Sequence, residues 1–344
     1  MDSLIARAQE KPAALARLAL ILWDKGEEER ARLLAVQALR AAPDDGEIRS
    51  LVAGVLTRTV PDWHFRIVRD AARNAAYEAA LKRAVSPETR VFEIGTGTGI
   101  LAMMAARAGA KSVVTCEANP AVAEAAQEIV ALNGYADRVR VVAKSSADLD
   151  PEVDMAGPAD LMVSEIVSNT IIGEGALPAT EHAVRSLLRP GARIIPARGL
   201  VRVALAYDSK MWLERMDMVD GFDLSPFNRL ASTFHQIRRG DDRLALMGPS
   251  ADLFDFDFQS GGPFPPATAS VTLSSTGGRA NGVAQWMALK MDEEEWYENN
   301  PLPGALGSAW AVMFWPFVTP RDLPAGATVE VFGRHDRKIL RIWA

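Results

Sequence analysis

A short apolar strand leads directly into a glycine-rich turn near residue 95, and this junction constrains the fold more than any other feature of the chain. The strand residues Val91–Ile94 are followed by glycines at positions 95, 97 and 99, and an apolar helical pattern follows over Ile100–Arg107. Glycines permit a tight turn whose backbone N–H groups face a ligand at the start of a helix. The junction therefore predicts an α/β sheet that binds a ligand at its carboxyl edge.

Residues 90–196 alternate short apolar runs with helical patterns, which is typical of parallel strands joined by crossover helices. We expect strands at Arg90–Ile94, Ser112–Cys116, Arg138–Val142, Leu161–Val163 and Arg193–Ile195. We expect helices between them over Ile100–Arg107, Ala121–Leu132 and Ala179–Leu188. This block predicts a doubly wound, Rossmann-like core.

Two further segments flank this core. After Pro196 the chain is rich in Val, Thr and aromatic runs, which favours an antiparallel β domain. The stretch Asp208–Leu246 interrupts it with a polar helical pattern, which we interpret as an inserted arm. Residues 1–60 show helical periodicity with small residues, and this resembles a tetratricopeptide-type hairpin. We expect it to pack on the rest of the chain or on a partner, and the alternative is a helical extension with no binding role. The predicted domains are therefore 1–60, 61–196 and 197–344, with the arm at about 208–246.

The composition narrows the class of protein. The 344 residues are 24% charged and 49% hydrophobic with a net charge of −6, which excludes a disordered or collagen-like chain. A single cysteine excludes an internal disulfide, and the four histidines lack metal-ligand spacing, so we predict no metal. The apolar runs at 100–106 and 309–315 are shorter than the ~20 residues that a membrane span needs. We expect a cytoplasmic protein without a membrane or nucleic-acid partner.

The spacing of the glycines indicates which nucleotide the turn binds. A nicotinamide dinucleotide fingerprint needs its third glycine at position 100, which is isoleucine. No Gly-Lys-Ser/Thr follows, so the loop is not a triphosphate cradle. Glu93 precedes the glycines, and Glu117 ends the next strand, where a carboxylate can accept both hydroxyls of a ribose diol. The alternative is a glycine turn of an ordinary α/β protein.

A pair of glutamates follows the fourth predicted strand. Glu165 lies at the carboxyl edge of the sheet, and Glu174 comes nine residues later in a loop with glycines on both sides. Two neighbouring carboxylates repel each other unless a cation lies between them, and a planar guanidinium matches them best. From the residues alone, a strand-end acid beside an unrelated surface glutamate remains an equal alternative.

The segment Arg90–Leu200 resembles the protein arginine methyltransferases, and more closely their type III, monomethylating branch. The matching motifs are Glu93–Gly99, Met103–Ala105, Glu117, Ser164–Glu165 and Ile171–Pro178 followed by Glu181–Ala183. Similar features lie outside this segment at Asp70–Asn74, Tyr77, Gly221–Ser225 and Trp310. The resemblance implies a class I S-adenosylmethionine-dependent methyltransferase core, a β-barrel and a helical dimerisation arm.

The resemblance also implies the roles of individual residues. Cofactor-binding roles fall to Arg73 at the methionine carboxylate, Glu93 near its amino group, Gly95 and Gly97 along the amino-acid part, Glu117 on the ribose diol, and Ser146 or Asp148 at the adenine edge. Catalytic roles fall to Glu165 and Glu174, which would clamp the substrate guanidinium, and to Trp310 of the barrel. The loop Ser308-Ala309-Trp310 departs from the family's Thr-His-Trp pattern, which leaves the substrate open.

Three functional hypotheses follow. The first is S-adenosylmethionine-dependent monomethylation of arginine in a protein or peptide by a homodimer. The second keeps this chemistry but takes a small guanidine or amine metabolite as substrate. The third is a scaffold in which the helical hairpin recruits a partner while the methyltransferase core is silent.

Overall fold

The computed structural model of the chain describes residues 11–60, 63–213, 215–238, 241–301 and 308–344. Its first part is a layer of three helices, one more than a hairpin has, and residues 1–10 of the predicted segment lie outside the described residues. These helices are α1 (Pro12–Asp24), α2 (Glu28–Ala41) and α3 (Gly46–Thr59). They share a small apolar core of their own, which includes Leu22 and Leu34. One contact of the layer with the rest of the chain is made by Arg40, which bonds to Glu124 and Glu128.

A five-stranded parallel sheet forms the centre of the molecule, with strand order β3-β2-β1-β4-β5. Its strands are β1 (Arg90–Ile94), β2 (Ser112–Cys116), β3 (Val139–Val142), β4 (Ala159–Ser164) and β5 (Leu188–Ile195). The accompanying helices are α4 (Trp63–Ile67), α5 (Ala71–Ala84), α6 (Ile100–Arg107), α7 (Pro120–Leu132), α8 (Pro151–Asp154) and α9 (Ala176–Ser186). The Rossmann-like core predicted from the sequence is thus confirmed.

Helix α9 begins three residues before the position predicted from its apolar pattern. Gly175, which immediately precedes it, has φ of +79°, a left-handed conformation that glycine adopts without strain. This glycine turns the chain from the Glu174 loop into the helix. The start of α9 therefore also fixes where the Glu174 loop ends.

An antiparallel β domain follows the core. Its strands are β6 (Arg198–Asp208), β7 (Met218–Val219), β8 (Phe222–Asp223), β9 (His235–Ile237), β10 (Leu244–Leu246), β11 (Ala251–Asp257), β12 (Ala267–Ser274), β13 (Gly278–Lys290), β14 (Trp296–Glu298), β15 (Val312–Leu323), β16 (Thr328–His335) and β17 (Leu340–Trp343). One sheet runs β10-β6-β13-β15-β9, with β11 on β6 and β14 on β13, and a second runs β12-β16-β17. A single apolar core continues from the parallel sheet into this domain and includes Tyr77, Tyr297 and Trp310.

The helical pattern predicted over Asp208–Leu246 is wrong in its secondary structure. The described part of this arm holds the short hairpin β7–β8, strands β9 and β10, and 3-10 turns at Met211–Leu213 and Ser225–Leu230, without an α-helix. Asp223 accepts a hydrogen bond from the backbone N–H of Ser225 at 2.9 Å, and such local bonds compete with helix formation. At its base, buried Asp208 binds Arg243 through two contacts of 2.6 Å.

Candidate active site

The glycine turn is shaped by three left-handed residues at the carboxyl end of β1. Gly95, Gly97 and Gly99 have φ of +83°, +50° and +78°, which side chains rarely tolerate. A Cβ on Gly95 would also lie 2.6 Å from Cγ2 of Ile166. The N–H of Gly95 donates to the carbonyl of Cys116 at 3.0 Å, which ties the turn to β2. The backbone therefore approaches any ligand in this turn closely.

A cavity of about 570 Å³ opens at the carboxyl ends of β1, β2 and β4. Of the residues predicted to bind the cofactor, six line it, namely Arg73, Glu93, Gly95, Gly97, Glu117 and Ser146. Asp148 is exposed on the 3-10 turn at Ser146–Asp148 and does not line the cavity, whereas Ala147 does. We call this space the cofactor cavity.

Two acids of the cofactor cavity differ in their hydrogen bonding. The Glu117 carboxylate accepts hydrogen bonds from the N–H of Gly97 at 3.1 Å and of Asn119 at 2.9 Å, which fix its orientation. Glu93 is 1% exposed, and its Oε2 has no hydrogen-bond partner among the described residues. Burial raises the pKa of the Glu93 carboxyl to about 8. A cationic group placed beside Glu93 would relieve this cost.

Arg73 connects the cofactor cavity to the glutamate pair. The carboxylate of Asp70 accepts a hydrogen bond of 2.9 Å from the backbone N–H of Arg73 and caps the start of α5. This cap fixes the start of the helix, so that the Arg73 side chain faces the sheet edge. The guanidinium donates to Oε2 of Glu165 at 2.8 Å and to Oδ1 of Asn74 at 2.7 Å. Its Nε has no partner among the described residues, although the residue is only 3% exposed. Arg73 is therefore a buried cation with an unused donor inside the site.

A second cavity, of about 590 Å³, lies between the core and the β domain, and we call it the substrate cavity. Glu165 and Glu174 line both this cavity and the cofactor cavity, so the pair stands at the junction between them. Burial raises the pKa of Glu165 to about 7, while Arg73 opposes the rise. Desolvation shifts the pKa of Glu174 in the same direction. Both carboxylates would be stabilised in their charged form by a cation between them.

Trp310 forms one wall of the substrate cavity. It is 7% exposed, and its indole N–H donates to the carbonyl of Val167 at 3.0 Å, just after the Glu165 strand end. The preceding loop is fastened to the core through Asp70, which accepts from the hydroxyl of Tyr297 at 2.7 Å and from the N–H of Ala309 at 3.2 Å. The β domain is thereby joined to the helix that carries Arg73.

Several residues that line the cofactor cavity have no role predicted from the sequence, among them Trp63, His64 and His182, and from the sequence the two histidines are interpreted as packing residues. The rings of Trp63 and His64 stack at 3.7 Å on α4, and His182 lies on α9 one turn after Pro178, which also lines the cavity. The available signals were the helical spacing from Pro178 to His182 and an aromatic pair shortly before Arg73. Neither signal separates a cavity wall from ordinary packing.

Within the part of the chain that the structure describes, no cluster of three or more His, Cys, Asp or Glu side chains is arranged to hold a metal ion. Within the same ranges, no helix combines the length and apolar character that crossing a membrane requires.

Comparison with known proteins identifies the family. Residues 78–196 match the family model described as ribosomal protein L11 methyltransferase (PrmA). The chain is 34% identical to an arginine N(omega)-methyltransferase of Streptomyces achromogenes subsp. streptozoticus. The alignment spans 281 residues, which are 81% of this chain and 77% of that protein. The chain belongs to the arginine N-methyltransferase family. The family and the enzyme class predicted from the motifs are therefore confirmed.

Other members of the family match over a smaller share of their length. The chain is 37% identical to protein arginine N-methyltransferase 7 of Drosophila grimshawi and 33% identical to that of Danio rerio. The matches cover 56% and 68% of this chain, but only 30% and 38% of those proteins. This family member thus spans about a third of the length of these relatives.

Solved structures from the same family share the fold. The Trypanosoma brucei PRMT1 enzyme–prozyme heterotetrameric complex with AdoHcy aligns with a TM-score of 0.71 at 22% identity, over 81% of this chain and 89% of that chain. Arabidopsis thaliana protein arginine methyltransferase 10 aligns with a TM-score of 0.67 at 16% identity, over 83% and 93%. The combination of a Rossmann-like core and antiparallel sheets is therefore common to these proteins.

Proposed function

We propose that this family member transfers one methyl group from S-adenosylmethionine to a terminal nitrogen of an arginine guanidinium, in a protein or peptide. The observation that carries the proposal is that Glu165 and Glu174 line both cavities. A guanidinium between them would be held where the cofactor cavity meets the substrate cavity. The silent-scaffold alternative is disfavoured because these two glutamates, Arg73 and Glu117 are all present at the cofactor cavity.

The cofactor cavity has features that suit S-adenosylmethionine. The amino group of the methionine part would meet Glu93, whose Oε2 lacks a partner among the described residues, and its carboxylate would meet Arg73, whose Nε is unused. Glu117 would accept the ribose diol, the glycine turn at 95 and 97 would pass along the amino-acid part, and buried Ser146 would stand at the adenine edge. The cofactor supplies a methyl group on a positively charged sulfur, which is already a good leaving group.

The glutamate pair supplies the electrostatics on the substrate side. An ionised Glu165 would accept N–H donors of the guanidinium and draw its positive charge toward the protein. The other terminal nitrogen would then keep more of its lone pair for attack. Because that nitrogen loses its proton after it is methylated, the site needs no strong base. Trp310 would limit the space beside the reacting nitrogen, and one methyl group is the product that we propose.

The arm at about 208–246 is proposed to join two copies of the chain. Large apolar side chains are concentrated on its surface, and nine of them are exposed: Leu213, Met216, Met218, Val219, Phe222, Leu224, Phe227, Leu230 and Phe234. An exposed apolar patch of this kind is typical of a protein–protein interface. We further propose the domain division at residues 60 and 196 and a cytoplasmic location, with the N-terminal helices as a tetratricopeptide-like accessory layer.

The dimer proposal predicts that Phe222→Glu yields monomers. Phe222 is 70% exposed on β8, so the change leaves the folded chain intact but places a charge in the proposed interface. Sedimentation velocity of the wild type should show a dimer, and the variant should sediment as a monomer. Val318→Glu changes a fully exposed apolar residue outside the arm and is the control. A monomeric wild type, or a Phe222→Glu variant that stays dimeric, would contradict the proposal.

The proposed reaction predicts a single mass increase of the substrate. Incubation with S-adenosylmethionine and an arginine-containing peptide should add about 14 Da to one guanidinium, and fragmentation should place the methyl group on a terminal nitrogen. A product that gains a second methyl group on the same residue would overturn the monomethylation part. Cofactor binding without any methylated guanidine would overturn the function.

A further inference from the structure

The mouth of the substrate cavity carries positive charge that the proposed reaction does not use. Three arginines line this cavity, namely Arg66, Arg69 and Arg238, and all three are exposed. Of the acids that line the same cavity, Glu165 and Asp70 are shielded, with 9% of the Glu165 side chain and 3% of Asp70 exposed, whereas Glu174 is exposed. The cavity is therefore acidic where the guanidinium would react and basic where the rest of the substrate would lie. We call the three residues the rim arginines.

The rim arginines come from two separate parts of the chain. Arg66 and Arg69 belong to the segment that leads into α5, whereas Arg238 follows β9 of the β domain. The guanidinium of Arg69 donates to the carbonyl of Phe65, and it keeps further donors because a guanidinium has five N–H groups. No ion pair or hydrogen bond engages the side chain of Arg238 within the described ranges. A ligand in the cavity would lie between these positive side chains.

We infer that the rim arginines bind a carboxylate that the substrate carries close to its reacting guanidinium. The inference rests on the proposed function, because it assigns the part of the substrate that lies outside the glutamate pair. The forked donors of arginine match the two oxygens of a carboxylate. A strongly basic peptide would instead bring like charges to the mouth, which disfavours its binding.

A carboxylate in this position has two chemical sources. It is either the α-carboxylate of free arginine or an acidic side chain beside the target arginine of a peptide. The volume of about 590 Å³ falls within the range of small-molecule sites. The cavity can therefore hold either free arginine or a short peptide segment, and the experiment separates the two.

The test compares substrates that differ only in the carboxylate. Initial rates are measured with the full chain, S-adenosylmethionine and either L-arginine or agmatine, which is arginine without its carboxylate. We expect kcat/KM for arginine to exceed that for agmatine by about tenfold or more, mainly through KM. Blocked Glu-Arg-Glu and Lys-Arg-Lys peptides form a second pair, and the acidic peptide should be the better substrate. Whichever acidic compound has the higher kcat/KM identifies the source.

Variants then assign the effect to the rim. Arg69→Ala with Arg238→Ala should raise KM for arginine about tenfold and leave the kinetic constants for agmatine within about twofold. Arg49→Ala, an exposed arginine on α3 outside both cavities, is the matched control and should change neither. Calorimetric binding of S-adenosylmethionine by each variant shows that the site is folded.

The outcomes separate this inference from the proposed function. Equal kcat/KM for arginine and agmatine, and for the two peptides, would overturn the carboxylate site while the methyltransferase function stands. If the double variant leaves the ratio of kcat/KM for arginine to kcat/KM for agmatine unchanged, the role of the rim arginines is overturned. If none of the four compounds is methylated although the cofactor binds, the proposed function fails, and this inference fails with it.

Discussion

Replacement of Glu165 by Gln is expected to lower kcat/KM for the guanidine substrate by about 1,000-fold or more. The change preserves the shape of the side chain but removes a charge from a position that is 9% exposed, where charge stabilisation contributes most. Cofactor affinity should change by about threefold or less, because the roles proposed for cofactor binding lie with other residues. Steady-state kinetics together with calorimetric cofactor binding measure both effects.

Glu174→Gln provides the matched comparison. It removes the second half of the clamp, so substrate capture should weaken while cofactor affinity is retained. Turnover by Glu165→Gln close to that of the wild type would contradict the assignment of the glutamate pair. A loss of cofactor affinity in Glu174→Gln would contradict its assignment to the substrate side.

The pH dependence of the wild type follows from the same pair. A carboxylate binds a guanidinium only when it is ionised, and it is ionised above its pKa. Since burial raises the pKa of Glu165 to about 7, kcat/KM should increase with pH up to about that value and then level off. A profile that is flat from pH 5 to 8 would contradict this reading.

The second large effect is expected at Arg73. Arg73→Ala should weaken cofactor binding by about 100-fold, since it removes the cation proposed for the methionine carboxylate. It also leaves Glu165 without the guanidinium that lies 2.8 Å away, so the pKa of Glu165 should rise further. The pH range over which kcat/KM rises should therefore move to higher pH, and a general loss of stability would not produce this shift.

Two further variants make the Arg73 result specific. Arg73→Lys keeps the charge but loses the fork of donors, and we expect an intermediate affinity with a smaller shift of this pH range. Arg107→Ala, on α6, removes an exposed ion pair with Glu78 of α5 and should leave both quantities unchanged. Unaltered cofactor affinity in Arg73→Ala would remove Arg73 from the cofactor site.

The parallel core was predictable because each buried strand and each crossover helix has its own periodicity. The arm was not, because its polar residues, such as Asp223, satisfy backbone groups locally and stop helices that their spacing would allow. The bond between Arg73 and Glu165 was also hidden, since these residues are 92 positions apart and only the folded sheet edge brings them together. The glutamate pair was visible because its two members lie within ten residues and a glycine flanks Glu174 on each side.

The carboxylate of Asp70 has a consequence for chimaeric enzymes. It caps the helix that carries Arg73 and also accepts from Tyr297 and from the N–H of Ala309, while Ser308 contacts the same tyrosine hydroxyl at 2.6 Å. A β domain transplanted from another member of the family would have to bring partners for this one carboxylate. We expect a chimaera that replaces residues 297 and 308–309 but provides no partner for Asp70 to lose activity. The helix that carries Arg73 and the loop that carries Trp310 would both lose a contact that positions them.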